Sequence, residues 1–200
     1  MARILLVRHA PTPETGSRLT GRQAGVALGP TGQTDARRTC DALAALRVKA
    51  IYSSPIERTL ETATIIAAPH GLTPIVEDGM IEIDFGAWTG RTLKSLRRTA
   101  LWETVQRVPS RARFPEGESF AEAQARAVDA VERIAGAVGK GTAIVVSHSD
   151  VIKLVISYYL GQPLDSFQRM LISTASISDL RLAPGMVPFV AAVNGTGAAP

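Results

Sequence analysis

A chain of 200 residues, 46% of them hydrophobic, is long enough to bury one core, and a second independent domain is not expected. The formal charge is only +4, with 18 acidic residues among 22 basic ones, and aromatic residues make up 5%. These values argue against a nucleic-acid surface and favour a cationic pocket for an anionic small molecule. The single cysteine, Cys40, excludes a disulfide framework and a cysteine-rich zinc site, and it fits a reducing compartment.

The N-terminal sequence gives no sign of export or membrane insertion. Residues 1–3 lead directly into an apolar strand, so the pattern of a signal peptide is missing, and no apolar run is long enough to cross a bilayer. We therefore expect a cytoplasmic protein with one domain over residues 1–200. Within it we expect a helical insertion or lid at about 90–118 and a flexible tail at about 194–200.

Strand and helix patterns alternate along most of the chain. Thr31 is placed to cap the first helix, and Ser54 with Pro55 to begin the second. In chain order the predicted elements are a strand at 4–7, a helix at 32–46, a strand at 50–53, a helix from 54 to about 68, a strand at 73–76, helices at 93–108 and 119–138, a strand at 144–147, a helix at 151–160, and a hairpin of 175–182 with 187–193. The alternation predicts an α/β fold, a three-layer α/β/α sandwich. Its central sheet is mostly parallel and gains an antiparallel member from the last strand pair.

Two of the three histidines stand at the end of an apolar strand. The first strand delivers Arg8 and His9 to a point where turn-forming residues begin, and the strand at 144–147 delivers His148 in the same way. Because ligands of α/β sheets collect at the carboxyl ends of parallel strands, these two histidines predict one shared site. His70 lacks this context and is expected at the surface.

Six short motifs follow one another along the chain. They are Leu6-Val7-Arg8-His9-Ala10-Pro11-Thr12, Leu19-Thr20-Gly21, Tyr52-Ser53-Ser54-Pro55 with Arg58-Thr59 and Glu61-Thr62-Ala63, Glu82-Ile83-Asp84-Phe85-Gly86-Ala87-Trp88-Thr89-Gly90, Gly117-Glu118-Ser119, and Val146-Ser147-His148. Each is weak alone, but in this order and spacing they resemble the histidine phosphatase superfamily over most of residues 3–162. That family includes the cofactor-dependent phosphoglycerate mutases and many small phosphatases. The resemblance implies a phosphoglycerate mutase-like fold and phosphoryl-transfer chemistry.

The resemblance implies a phosphoryl-transfer site around His9, and the residue types agree with it. A phosphoryl group in transfer needs one in-line nucleophile and several fixed donors around its equatorial oxygens. His9 is the expected nucleophile, since an imidazole that is partly neutral at neutral pH can form a phosphohistidine. Arg8 and Arg58 are expected to clamp the phosphate. His148 and the backbone N–H of Ser149 are expected to donate to further phosphate oxygens.

Glu82 is the expected general acid and base. The leaving alkoxide needs a proton and the attacking water must lose one, so the carboxyl group requires a pKa near the working pH. The family pattern of Glu followed by Phe-Gly and Trp assigns this role to Glu82 and leaves Asp84 a helper or structural role. Asp150 is the rival donor, because one acid-phosphatase branch carries its proton donor directly after the second histidine, here His148.

Other positions near the motifs depart from the family pattern or face the substrate. Thr15 stands where many members carry an asparagine that contacts phosphate, and its hydroxyl is still able to donate. Ala10 replaces the usual glycine after the nucleophile. Thr20 and Gly21 resemble a substrate-facing loop, with a plain turn as the alternative.

The residues and the resemblance together predict a phosphomonoesterase that needs neither metal nor cofactor, and that acts on a small phosphorylated metabolite through a phosphohistidine on His9. A cofactor-dependent mutase of the phosphoglycerate type is the first alternative, disfavoured because only about 90–115 is available to build its closed pocket. A non-catalytic phosphoryl-binding module and a phosphohistidine-protein phosphatase are the others. We expect no nucleic-acid or membrane partner. The apolar strand pair near the C-terminus could supply the contact of a homodimer.

Overall fold

One six-stranded sheet forms the centre of the computed structural model, which describes residues 1–196. Its strands are β1 (Ala2–Arg8), β2 (Ala50–Ser53), β3 (Ile75–Val76), β4 (Thr142–Ser147), β5 (Ile177–Leu182) and β6 (Phe189–Gly195). They lie in the order β3-β2-β4-β1-β5-β6, with the first four parallel to one another and β5 and β6 antiparallel to their neighbours. The predicted α/β architecture with a mostly parallel sheet is therefore confirmed, including the antiparallel C-terminal pair.

Helices cover both faces of this sheet. They are α1 (Pro30–Leu43), α2 (Glu57–Ala67), α3 (Leu93–Leu96), α4 (Ala100–Arg107), α5 (Phe120–Val138) and α6 (Ser149–Tyr159). Along β1, Ile4 and Leu6 belong to the apolar cluster that includes α5 and α6, whereas Leu5 and Val7 belong to the cluster that includes α1 and α2. A strand buried on both faces has a continuous apolar run, as β1 has from Ile4 to Val7. Within residues 1–196 no helix combines the length and apolar character needed to cross a bilayer.

The start of α2 differs from the prediction in a way that matters for the site. The helix begins at Glu57, with Ile56 at the cap position and no side-chain cap. Ser54 is fully buried, and its hydroxyl lies 2.9 Å from Nε2 of His148 instead of closing the helix. A residue type that often caps helices is therefore used here in a contact between two strand ends.

Two other helix boundaries also need correction. Thr31 lies inside the first turn of α1, because the helix begins at Pro30 after Gly29, and a proline with its fixed φ is well suited to that first position. The predicted helix at 93–108 is two helices. The N–H and the hydroxyl of Thr99 both donate to the carbonyl of Leu96, at 2.9 and 2.7 Å, and close the chain into a turn.

The segment at 90–118, expected to be a helical insertion or lid, contains α3 and α4. It packs on the core through Leu96, Val105 and Phe114, whose exposed fractions are 0%, 5% and 2%. Burial of this extent is typical of residues that belong to the hydrophobic core. Opening and closing of this segment stays a prediction.

The first two residues of the predicted C-terminal tail belong to a strand. Asn194 and Gly195 belong to β6, and the side-chain oxygen of Asn194 accepts a hydrogen bond from the Ser173 N–H at 2.6 Å. This contact extends the strand into a region whose small, turn-rich sequence suggested fraying. Residues 197–200 of the predicted tail lie outside the described residues.

Gly86→Ala is expected to destabilise the fold next to the site. Gly86 has a φ of +48°, and a Cβ there would lie 2.0 Å from the carbonyl oxygen of Pro115. Overpacking against backbone and a left-handed φ should together lower the free energy of unfolding by about 3 kcal/mol. Urea denaturation would measure it. Gly136→Ala in α5 is the matched control. Nothing lies within 4 Å of its Cβ position, and we expect a gain of about 0.5–1 kcal/mol; losses of similar size in both variants would contradict the argument.

Candidate active site

The two strand-end histidines lie side by side at the carboxyl edge of the sheet. β1 and β4 are parallel neighbours in register, with Arg8 opposite Ser147, so the next residue on each strand is a histidine. The N–H of His9 donates to the carbonyl of Ser147 at 2.9 Å, and the ring centroids of His9 and His148 are 5.3 Å apart. Strand pairing alone therefore brings together the two histidines for which a shared site was predicted.

Arg58 joins the two histidines from the first turn of α2. Its Nε donates to Nε2 of His9 at 3.3 Å, and its Nη2 donates to Nδ1 of His148 at 3.2 Å and to the carbonyl of Gly21 at 2.7 Å. The side chain is 1% exposed, so it is not a solvated helix-surface arginine. Three partners from three separate parts of the chain hold this guanidinium in one orientation.

The hydrogen bonds around the two rings define which nitrogen carries the proton. Nδ1 of His9 lies 2.8 Å from the carbonyl of Ala10, which only accepts, so Nδ1 is protonated and Nε2 holds the lone pair. Arg58 only donates, so Nδ1 of His148 is an acceptor, and its Nε2–H donates to Ser54. The lone pair of His9 thus lies on the nitrogen that contacts the cationic cluster.

Both histidines are neutral at neutral pH. Burial and then the positive charge of Arg58 lower the pKa of His9 to about 3, although its bond to Ala10 opposes the shift. Burial, followed by Arg58 and His9, holds the pKa of His148 well below its usual value. The sequence suggested an imidazole near its ordinary pKa, and burial instead makes His9 a fully neutral base. A proton donation from His148 to phosphate stays a prediction, since in this arrangement Nδ1 accepts from Arg58.

Glu82 lies against the same cluster with the opposite shift. Its Oε2 is 3.7 Å from Nδ1 of His148, and its Oε1 accepts a hydrogen bond from the Ile83 N–H at 2.9 Å. Burial and the negative charge of Asp150 raise the pKa of Glu82 to about 7, against the lowering effects of Arg58, of the Ile83 N–H and of Arg8. A carboxyl group with that pKa can give and take a proton at neutral pH. The rival Asp150 is engaged by Lys153 at 3.3 Å.

Two arginine groups in the cluster have donors without partners among residues 1–196. Nη1 of Arg8 donates to the carbonyl of Ile172 at 2.7 Å, and the Ser149 hydroxyl points to the same oxygen at 3.4 Å. Nε of Arg8 and Nη1 of Arg58 are buried and bond to no described atom. A buried, unpaired guanidinium N–H costs free energy, and an anion would satisfy it.

The other residues predicted near the site, apart from Gly21, form their hydrogen bonds outside the cluster of Arg8, His9, Arg58 and His148. Thr15 is exposed, and its hydroxyl accepts from the Thr12 N–H at 2.9 Å within a short turn. Gly21 has a φ of +52° and contributes its carbonyl to Arg58, a contact that no residue-type pattern reveals. The carbonyl of Thr20 accepts from a nearby backbone N–H, as in a plain turn. Asp84 accepts from the Gly86 N–H at 2.9 Å, which supports the structural role considered for it.

Sequence reasoning missed the residues that surround the backbone of Glu82. Arg22, Glu118 and Arg126 form hydrogen bonds with this segment and with one another. Glu118 belongs to the Gly117-Glu118-Ser119 motif, but the motif gives no role for this residue. No sequence signal pointed to Arg22 or Arg126, because their partners are mainly backbone carbonyls.

Comparison with known proteins identifies the family. The sequence model of the histidine phosphatase superfamily (branch 1) matches residues 4–194. Phosphoserine phosphatase 1 of Hydrogenobacter thermophilus is 30% identical over 187 residues, 91% of this chain and 87% of that protein. A probable phosphoglycerate mutase, GpmB of Erwinia tasmaniensis, is 27% identical over 89% of this chain and 84% of its own length. The solved structure of YhfR from Bacillus stearothermophilus matches with a TM-score of 0.90 and 27% identity, covering 96% of both chains. The chain therefore belongs to branch 1 of the histidine phosphatase superfamily and is a phosphatase enzyme of that family.

Proposed function

We propose that this enzyme hydrolyses monoesters of phosphate with small metabolites, without a metal ion, through a phosphohistidine on His9. The observation that carries the proposal is the orientation of the His9 ring. Its Nδ1–H is fixed on the carbonyl of Ala10 at 2.8 Å, so the lone pair on Nε2 faces Arg58. A neutral imidazole held in this way needs no deprotonation before it attacks phosphorus.

In the first step, Nε2 of His9 attacks phosphorus and a P–N bond forms as the P–O bond to the alcohol breaks. Glu82 gives its proton to the departing oxygen, so the alcohol leaves neutral and Glu82 becomes a carboxylate. Arg8 and Arg58 offset the charge that collects on the phosphoryl oxygens. The raised pKa of Glu82 supports this assignment, because a carboxyl group with its usual pKa would be ionised already.

In the second step, a water molecule attacks phosphorus and gives a proton to the carboxylate of Glu82. The P–N bond breaks, its electron pair returns to Nε2 of His9, and phosphate is released. The enzyme is then restored with His9 neutral and Glu82 protonated. The sum is one ester and one water converted to one alcohol and one phosphate, with no redox change.

The phosphate itself is proposed to bind at the unpaired donors of the cluster. Nε of Arg8 and Nη1 of Arg58 are buried and without partners among the described residues, which fits two oxygens of a phosphoryl group. The Ser149 N–H at the start of α6 is proposed to complete the pocket. His148 is proposed to donate to phosphate only when its Nδ1 is protonated, because in the neutral ring Nδ1 accepts from Arg58. Thr15 is proposed to add a hydroxyl contact. Thr20 and Gly21 are proposed to face the alcohol part of the substrate.

A mutase is the second candidate, because one of the similar proteins is named a probable phosphoglycerate mutase. The two functions share the first step and differ in the acceptor, which is water for a phosphatase and a second hydroxyl for a mutase. A phosphoglycerate incubated with a bisphosphoglycerate primer separates them, since a mutase interconverts the isomers and a phosphatase releases phosphate. A binding module without catalysis does not fit the neutral nucleophile beside a carboxyl group of raised pKa.

The test is phosphate release from a panel of phosphomonoesters in excess EDTA. Phosphoserine is included because the similar Hydrogenobacter thermophilus protein bears that name. Sugar phosphates, phosphoglycerates and nucleotide-precursor phosphates complete the panel. We expect turnover of at least one ester at an unchanged rate in EDTA. Loss of activity in EDTA, or no hydrolysis across the panel, would contradict the proposal.

The pH dependence of kcat/KM should report Glu82. The acid form is needed to protonate the leaving group, and its pKa is about 7, so it is present below that pH and lost above it. We expect kcat/KM for an aliphatic ester to fall about tenfold per pH unit on the alkaline side. Since the pKa of His9 is about 3, His9 gives no acid limb near neutrality.

Glu82→Gln should remove this alkaline limb and lower kcat/KM by about 100-fold or more. The exposed Glu132→Gln on α5 is the control and should keep the wild-type profile. The measurement is the initial rate of hydrolysis across pH, corrected for ionisation of the substrate. An unchanged alkaline limb in Glu82→Gln would mean that another group donates the proton, and Asp150→Asn would then be examined.

A further inference from the structure

Glu82 lies on a stretch of backbone that lacks the regular hydrogen bonds of a helix or a strand. Residues 81–85 lie between the short 3₁₀ turns Asp78–Met80 and Gly86–Trp88 and belong to no strand or helix. A group that transfers a proton has to be held within about 0.5 Å of its productive position. The contacts that fix this stretch must therefore come from elsewhere in the fold.

One arginine on α5 supplies most of those contacts. Arg126 has five N–H donors, and each has an acceptor. The acceptors are the carbonyls of Gly79 and Ile81 at 2.8 Å each, the carbonyl of Glu82 at 3.2 Å, and the two oxygens of Glu118 at 2.8 and 2.9 Å. The whole guanidinium is thus used to join α5 to the segment that carries Glu82.

Glu118 holds this arginine and the segment together. Its Oε2 accepts from the Asp84 N–H at 2.9 Å, while its own N–H donates to the Asp84 carbonyl at 2.9 Å. The same carboxylate pairs with Arg22 at 3.0 Å, and Nε of Arg22 donates to the carbonyl of Glu82 at 2.8 Å. Although burial opposes it, the hydrogen bonds from Arg126 and from Asp84 keep the pKa of Glu118 below its usual value.

The peptide plane after Glu82 connects this network to the reacting carboxyl group. The carbonyl of Glu82 and the N–H of Ile83 belong to one planar unit and point in opposite directions. Arg22 and Arg126 hold the carbonyl oxygen, and the N–H on the other side holds Oε1 of Glu82 at 2.9 Å. Rotation of this plane would move the carboxyl group away from His148, which lies 3.7 Å from its other oxygen.

We propose that Arg126, held by Glu118, is a positioning residue for proton transfer by Glu82, acting through the backbone of residues 79–83. The proposal rests on the proposed role of Glu82 as general acid. Arg126 forms no described hydrogen bond with Arg8, His9, Arg58 or His148, and its charge is a minor cause of the lowered pKa of His148, after burial, Arg58 and His9. Its loss should therefore weaken protonation of the leaving group and leave attack on phosphorus and phosphate binding largely intact.

The test compares two esters that differ in their need for an acid. p-Nitrophenyl phosphate has a good leaving group that departs without a proton, and β-glycerol phosphate has a poor one that requires it. We use kcat/KM, because it includes the step in which the leaving group departs and not the later hydrolysis of the phosphoenzyme. For Arg126→Gln we expect a loss of about 100-fold with β-glycerol phosphate and of less than about threefold with p-nitrophenyl phosphate.

Conservative and control variants separate positioning from a general loss of structure. Arg126→Lys keeps the charge but only three donors, so we expect a smaller loss with the same selectivity for the poor leaving group. Arg133→Gln changes another arginine of α5, paired with Glu77 at 2.8 Å, and should leave both esters unaffected. Inhibition by inorganic phosphate should stay within about threefold of wild type in every variant. Should Arg126→Gln fail to fold, Glu118→Gln tests the same network.

Glu82→Gln is measured in parallel so that two failures can be told apart. In one outcome, Glu82→Gln lowers kcat/KM mainly for β-glycerol phosphate, whereas the folded Arg126 and Glu118 variants lower kcat/KM equally for both esters or for neither. That outcome overturns the positioning role and leaves the role of Glu82 in place. If Glu82→Gln itself loses equally on both esters, Glu82 is not the acid, and both proposals fail. Selective loss in all of them supports the inference.

Discussion

Replacing His9 with alanine is expected to abolish turnover, with a fall in kcat of about 10⁴-fold or more for every ester that the wild type hydrolyses. The variant lacks the nitrogen that bonds to phosphorus. The other neutral imidazole at Arg58, His148, is fully buried and is hydrogen-bonded through both ring nitrogens, to Arg58 and to Ser54. Acid-labile, alkali-stable phosphate should be trapped on the wild-type protein after rapid denaturation and should be missing from His9→Ala. Peptide mapping of the labelled protein would place the phosphate.

The loss of turnover in His9→Ala should come from the missing nucleophile and not from a disrupted phosphate site. Arg8 and Arg58 remain in the variant, so its affinity for inorganic phosphate should stay within about tenfold of wild type by calorimetry. His70→Ala is the matched control, because His70 lies in the short turn after α2 and outside the cluster. Phosphate trapped on another residue of His9→Ala, or activity lost equally in His70→Ala, would contradict the assignment.

Arg58→Ala is expected to lower kcat/KM by about 10³-fold, since the guanidinium combines charge stabilisation of the phosphoryl group with orientation of both histidines. Its loss should also raise the pKa of His9, because Arg58 is the second cause, after burial, that lowers it. An acid limb should then appear in the pH profile at higher pH than in the wild type. Steady-state kinetics across pH measures both effects.

Arg58→Lys should recover only part of the activity. An ammonium has the charge but not the planar set of donors that reaches His9, His148 and the carbonyl of Gly21 together. Arg38→Ala removes an exposed arginine paired with Asp35 on α1, and its kinetics should match the wild type. Full activity in Arg58→Lys would show that charge alone suffices and would weaken the geometric argument.

One physical cause acts in opposite directions on the acid and the base of this site. Burial disfavours charge, so it lowers the pKa of His9 and of His148 and raises the pKa of Glu82. The result at neutral pH is an unprotonated nucleophile beside a carboxyl group that still carries a proton for much of the time. Two fixed cations, Arg8 and Arg58, remain to attract the phosphoryl group.

The sequence identified the sheet and the strand ends with little ambiguity. The short apolar runs at 4–7 and 143–146, which end just before Arg8-His9 and Ser147-His148, have the length and the β-branched residues typical of strands buried on both faces. Parallel strands of this kind bring their carboxyl ends to one edge, so the meeting of the two histidines followed from pattern and topology. The motifs around them were also enough to identify the family that the comparisons show.

Local rules failed where a distant contact outweighed them. Ser54 with Pro55 has the chemistry of a helix start, but the Ser54 hydroxyl is used by His148, 94 positions away. The anchors of the arginines were also hidden, because the carbonyls of Gly21 and Ile172 are backbone groups that every residue carries. The pattern of residue types therefore does not indicate to which backbone carbonyl an arginine side chain will donate.

What the sequence by itself determined was the order of strands and helices, the apolar strands and the identity of the reactive side chains, because these depend on residue type and periodicity. Only the tertiary structure decided the pKa of each reacting group, the tautomer of each ring, and the network of Arg22, Glu118 and Arg126 behind Glu82. These properties depend on burial and on contacts between segments far apart in the chain. Both are set only when the helices and loops close over the edge of the sheet.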